Sequence, residues 1–235
     1  IGGTAIGTGV NAPAGFDVAV IQELTRLSGA EFHVTANRFS RMASQDVALE
    51  CSSVLKSLAV ALMKIAIDVR WMSSGPLAGL AEIELTPLQP GSSIMPGKVN
   101  PVLPEAVAMI CAEVIGNDTT VTIAAQSGNF QLNVMLPIIA EKLLTGIQLL
   151  SAGCEAMTTT IEGITIKLDN IEKSLRLNPI LVTALNERIG YDAAAAIAKK
   201  AYVSRRSIID VAAEETGISR AELTLLMDPG RLAKP

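Results

Sequence analysis

Gly91-Ser92-Ser93-Ile94-Met95-Pro96-Gly97-Lys98-Val99-Asn100-Pro101-Val102-Leu103-Pro104-Glu105 lies between two long apolar helical runs. Gly and Pro at this density force a loop. Gly91 and Gly97 open backbone conformations closed to other residues, while Pro96, Pro101 and Pro104 fix φ and remove N–H groups. The loop therefore presents two adjacent hydroxyls, a lysine, an asparagine and a carboxylate, on a backbone with N–H groups left to aim. Loops on rigid scaffolds are where chemistry tends to sit. On spacing alone, a helix-to-helix connection rich in turn formers accounts for the stretch equally well. Two lookalikes are excluded. Gly97-Lys98 is not a phosphate-binding P-loop, because Ser92 stands where its first glycine belongs and Val99 follows the lysine. Neither serine is framed as Gly-x-Ser-x-Gly, the nucleophile elbow.

Outward from the loop, the chain reads as helices. Residues 14–28 form an amphipathic helix with Phe16, Val20, Leu24 and Leu27 on one face, and Gly29 stops it. Asn37 is placed to cap a helix over about 38–73, apolar almost all round from Val47 onward, which marks it as central to a bundle or an oligomer. Ser73-Ser74-Gly75-Pro76 ends it, and 76–90 is a connection. Beyond the loop, 104–126 is a second long helix with Pro104 in its first turn and Glu105 at its positive end. Gly116-Asn117-Asp118 interrupts its apolar pattern, and Ser127 to Asn133 marks a bend. A third long helix covers about 136–160. From 163 the pieces are shorter and more charged: Ala193 to Tyr202, Ile208 to Glu214 and Arg220 to Leu226. Ser207 with Asp210 and Ser219 with Glu222 have the spacing of N-caps. No period-two strand pattern persists and no internal repeat is visible. The expectation is an all-α protein: a long-helix bundle over 1–169 and a small helical domain over 170–235.

Composition agrees. The 235 residues are 49% apolar but only 3% aromatic, which suits closely packed helices built from Ala, Leu, Ile and Val. An apolar fraction this high also suggests that some helical faces are covered by partner chains. A net charge of −4 excludes a general nucleic-acid binder. Lys56, Lys64, Asp68 and Arg70 break the run from Val54 to Trp71, so it reads as a buried helix and not as a membrane span. Cys51, Cys111 and Cys154 lie in apolar runs and read as reduced core residues of a cytoplasmic protein. One histidine, His33, is too few for a zinc site. The chain opens on Ile1, inside a Gly/Thr-rich segment, so Ile1 is not expected to be a native N-terminus. That segment, Gly2 to Gly9, fails the Gly-x-Gly-x-x-Gly pattern and reads as a helix end packed tightly through small residues.

The stretch Gly91 to Asn100 resembles the signature loop of the fumarase/aspartase superfamily, whose members eliminate a group from succinyl-type substrates and release fumarate. The Gly/Thr segment followed by Asn11 resembles the same superfamily at the same place before the loop. Several stretches look most like its class II fumarase branch: Ala36-Asn37-Arg38-Phe39, Asp68-Val69-Arg70-Trp71, Ser127-Gly128-Asn129-Phe130, and Leu181 to Asn186 with Ile189-Gly190-Tyr191-Asp192. Ile115 to Thr120 is equally at home in aspartases. Ile67 stands where fumarases usually carry Asn, and Gln45 where they carry His. The likeness runs from Gly2 to about Leu232 and matches only the C-terminal half of the family's chain.

The resemblance implies a site. Removing a proton beside a carboxylate builds an aci-carboxylate dianion, which needs positive charge and aimed N–H donors. Lys98 supplies the charge, and Asn100 and Ser93 bind substrate. By resemblance Ser92 is the general base, acting as an oxyanion that loop N–H groups and Lys98 stabilise. Glu105 resembles the carboxylate that orients the family's histidine, which belongs to the other half. No metal and no organic cofactor is implied. The implied substrate is a small dicarboxylate, malate or fumarate, and the implied assembly is a homotetramer with sites shared between chains, so the chain alone would be inactive. The expected activity is interconversion of L-malate with fumarate and water. Aspartate ammonia-lyase chemistry and a non-catalytic helical oligomerisation module are the competing readings.

Overall fold

The structure, a computed structural model, describes residues 1–233. It is all-α apart from a two-residue antiparallel ladder, and divides into two compact units. The first comprises 1–71 and 85–164, the second 72–84 and 165 onward. The second unit thus takes in a segment, 72–84, that a division at residue 170 assigns to the first domain.

In the first unit, residues 4–8 form tight turns and not the expected helix end, with the N–H groups of Gly7 and Gly9 both donating to the Gly3 carbonyl at 3.0 and 3.1 Å. The expected close packing is there. Gly7 has φ +106°, and a Cβ on it would stand 2.8 Å from the backbone of Phe39. Helix α1, Phe16–Ser28, ends at left-handed Gly29, whose N–H reaches the Thr25 carbonyl. Its apolar face is only partly covered: Val20 and Leu24 are half-buried, Phe16 and Leu27 exposed. Asp17 on α1 pairs with Arg38 on α2, Arg38–Ala43. Asn37 caps α2 as expected, its Oδ1 accepting the Ser40 N–H at 3.0 Å.

The expected single helix from 38 to 73 is two. Ser44 adopts extended dihedrals between α2 and α3, Asp46–Met72. Helix α4, Val102–Gln126, runs as expected through Gly116-Asn117-Asp118, where the apolar pattern is interrupted but the helix is not. Asp118 sits there because its partners lie on another helix: Ser52 Oγ donates to one carboxylate oxygen at 2.8 Å and Lys56 Nζ to the other at 2.5 Å. A buried carboxylate is tolerated only when charge and hydrogen bonds compensate it.

Helices α4 and α5, Leu136–Glu162, pack antiparallel, since Val121 and Ala124 meet Ile139 near the bend while Ile110 meets Gly153 farther along. Small residues at the contact let the backbones approach. By length and composition α4 could cross a membrane; here it buries Val107, Cys111, Val114, Val121 and Ala124 on one stripe of the bundle. Burial pushes the Cys111 thiol up. Cys154 is half-buried, and Cys51, expected in the core, is exposed. The bend is held by Asn133, wholly buried. Its Nδ2 donates to the Ala124 and Ala125 carbonyls at 3.0 and 3.1 Å, and its Oδ1 accepts the Met135 N–H at 2.8 Å.

In the second unit, β1, Ile83–Glu84, pairs with β2, Thr165–Ile166. Helix α6, Leu168–Arg176, a 3-10 turn, Pro179–Leu185, and α7, Asn186–Ile189, lead into α8, Tyr191–Ser204, α9, Ile208–Thr216, α10, Arg220–Leu226, and α11, Pro229–Leu232. Leu185, Ile197, Ile208, Val211 and Leu223 form their core. Ser219 caps α10 through the Glu222 N–H, whereas Ser207, expected to cap α9, makes no side-chain cap.

Two outcomes follow from these contacts. Asn133→Ala removes a buried amide that bonds the Ala124 and Ala125 carbonyls and the Met135 N–H and lowers unfolding free energy by about 2 kcal/mol, read from denaturant melts. Asp17 is held below the usual carboxylate range, first by the Arg38 guanidinium and then by the Val18 N–H. Its folded value is therefore below its unfolded one, so the stability it contributes is complete above the ordinary value of 3.8 and is lost as pH falls through the folded value. Melting temperature should fall more steeply with acid in the unsubstituted protein than in Asp17→Asn.

Candidate active site

The loop ahead of α4 closes on itself. Gly91 N–H donates to the Lys98 carbonyl at 2.8 Å, and Asn100 Nδ2 donates to the Gly91 carbonyl at 2.8 Å. Between them, Met95 to Lys98 is a turn with Lys98 N–H on the Met95 carbonyl at 3.2 Å. Pro96 occupies its second position and Gly97, φ +80°, its third, as a type II turn requires.

Inside this ring the Ser92 hydroxyl oxygen accepts two backbone N–H groups, those of Ile94 and Met95, each at 3.2 Å. A hydroxyl so placed makes a turn of its own with the backbone ahead of it. The same geometry favours negative charge on that oxygen, because two N–H dipoles already point at it. Ser92 and Lys98 line one open cleft of about 380 Å³, whose other walls include Leu88, Gln89, Met95 and Pro96. The cleft thus brings a serine and a lysine into one partly apolar lining.

The other expected residues are placed differently. Ser93 is exposed and does not line the cleft. Asn100 is half-buried, with one amide hydrogen engaged in closing the ring; an amide nitrogen carries a second. Glu105 stands in the first turn of α4, outside the cleft lining, with Oε1 3.8 Å from Arg70 Nη2. Arg70 escaped the sequence reading as a site residue, although it lies within one of the fumarase-like stretches. The identity of the N–H donors also escaped it, because backbone direction is not written in residue types. His33 is exposed, 3.5 Å from Glu31. Among the described residues no group of three or more His, Cys, Asp or Glu could hold a metal ion.

Comparison with known proteins agrees with this loop and this bundle. The family described as Lyase matches residues 1–116, and the one described as Fumarase C C-terminus matches 181–234. The fold and loop are thus those of a helical lyase. "Fumarate hydratase class II 2" of Pseudomonas aeruginosa is 55% identical over 98% of this chain and 51% of its own length. "Fumarate hydratase class II" of Thermus thermophilus is 45% identical over 100% and 51%. Among solved structures, class II fumarase from Schistosoma mansoni superposes with a TM-score of 0.90 at 33% identity, covering 100% of this chain and 52% of that one. The "fumarate lyase:delta crystallin from Brucella melitensis bound to cobalt" gives 0.90 at 43%, covering 100% and 51%. The chain belongs to the class II fumarases of the fumarase/aspartase superfamily. It spans about half the length of the curated relatives it matches.

Proposed function

We propose that this chain carries the base-bearing half of an enzyme that interconverts L-malate and fumarate plus water. The observation that carries the reading is the Ser92 oxygen beneath the N–H groups of Ile94 and Met95, in one cleft with Lys98. Serine is a weak acid, and its alkoxide forms only where charge is compensated locally. Two N–H donors and the Lys98 ammonium are that compensation. In the proposed reaction Ser92 removes the C3 proton, and Lys98 holds the carboxylate on which negative charge grows; collapse of that dianion forms the C2–C3 double bond and breaks the C2–O bond, the hydroxyl taking up a proton and leaving as water. The second amide hydrogen of Asn100 binds a substrate carboxylate; Ser93, exposed and outside the cleft lining, is given no substrate contact. Glu105 orients a histidine from the other half of the enzyme, with Arg70 beside its carboxylate.

The aspartase-like stretch Ile115 to Thr120 does not weigh against malate. Its Asp118 is buried in mid-helix and bonded to Ser52 and Lys56, so this carboxylate serves the helix contact and not substrate choice.

We further infer a cytoplasmic homotetramer with sites shared between chains, built on the bundle domain with the C-terminal helices as a separate small domain. Val54, Val60, Met109, Ile123, Leu144 and Ile147 are exposed along α3, α4 and α5. Apolar residues along three neighbouring long helices mark a surface that other chains cover.

The decisive assay completes this chain with the half of the Pseudomonas aeruginosa relative that it does not match, and follows fumarate absorbance. L-malate should yield fumarate and L-aspartate should not, with Ser92→Ala slower by about 10²–10⁴-fold. Fumarate from aspartate alone makes the enzyme an aspartase. Turnover of neither, by a protein that sediments as a tetramer, rejects both lyase readings and leaves a helical scaffold. Lys98→Met should cost about 10²–10³-fold in kcat.

A further inference from the structure

Gly91 makes no contact through a side chain, yet it is where the loop ring is closed. Its N–H holds the Lys98 carbonyl and its own carbonyl is held by Asn100 Nδ2, both at 2.8 Å. A Cβ on residue 91 would fall 2.5 Å from the Lys98 carbonyl oxygen, 2.9 Å from its carbon and 3.1 Å from the Asn100 nitrogen. All three are backbone atoms, which cannot swing aside as a side-chain tip can. Residue 91 is not in the left-handed region, so the requirement is one of space and not of φ. Ser92 is the next residue, and the direction of its hydroxyl toward the Ile94 and Met95 N–H groups depends on where the ring puts its Cα.

We propose that Gly91, pinned by the side chain of Asn100, is the positioning residue of the site: its missing side chain lets the ring 91–100 close and so holds the Ser92 oxygen under its two N–H donors. This rests on the reading of Ser92 as the base. Asn100 closes the ring through one amide hydrogen, and the substrate contact proposed for it falls to the other. Replacing Gly91 opens the ring and turns Ser92 away from its donors. The oxyanion then becomes harder to form, and the rate is lost through the base and not through substrate affinity.

The test uses the completed enzyme and the pH dependence of kcat. A base is active above its pKa, so weaker N–H support raises that pKa and moves the acid limb of the profile to higher pH. Gly91→Ala should lower kcat by about 10²-fold, leave KM nearly unchanged and shift the acid limb upward. A variant that merely folds less well loses amplitude at every pH with the limb in place. With Ser92→Ala inactive, an unmoved limb in Gly91→Ala overturns the positioning role and leaves the lyase reading standing. An active Ser92→Ala overturns the base assignment and this inference with it. Should Gly91→Ala not fold, amide hydrogen exchange on the unsubstituted enzyme decides: the Gly91, Ile94 and Met95 amides should be protected together and lose protection together in Asn100→Ala. Independent exchange of the three overturns the ring as the device that holds Ser92.

Discussion

Asn133 holds the bundle together at its sharpest point. The last carbonyls of α4 and the first N–H groups of α5 lack partners within their own helices, as all helix ends do. One amide answers both sets, donating to Ala124 and Ala125 and accepting from Met135. Its own backbone N–H donates to the Met42 carbonyl at 3.1 Å, which ties the bend to the end of α2. The path of α5 back along α4 is set there, and with it the contact of Gly153 with Ile110 far from the bend. The loop that carries Ser92 and Lys98 enters the opposite end of the same helix α4. A rigid α4 is what makes that loop a fixed platform.

The site itself is made mostly of main chain. Its charge comes from one lysine, but the groups aimed at the Ser92 oxygen are peptide N–H groups, and the ring is closed by peptide groups of Gly91 and Lys98 with the single side-chain amide of Asn100. Peptide dipoles need no reorganisation as charge develops, which is the economical way to stabilise a transient anion in a protein. Side chains at 91, 96 and 97 matter chiefly for what they leave out: a Cβ, an N–H and a barrier to positive φ.

The long helices were legible because apolar periodicity, Pro near helix starts and Gly after helix ends are local signals. Gly29 and Asn37 behaved as their residue types promise. Other features were not local. The polar Asp118 inside the expected helix has its reason in Ser52 and Lys56, more than sixty residues earlier and invisible from the stretch itself. The break at Ser44 has no Gly or Pro to announce it, and Ser207 has the right spacing for a cap but not the bond. The residues of the loop were legible as a set, by resemblance. What no residue type disclosed was that Ser92 faces Ile94 and Met95, that Ser93 faces away from the cleft, and that Arg70 lies opposite Glu105.

The homotetramer proposed for the apolar surface along α3, α4 and α5 carries a thermodynamic consequence. When a subunit buries part of its core only against copies of itself, folding and association are one equilibrium, and mass action makes stability a function of protein concentration. Dilution then acts as a denaturant. A substitution on that surface weakens the fold and the active site together, even where it touches neither the ring at 91–100 nor the bend at Asn133.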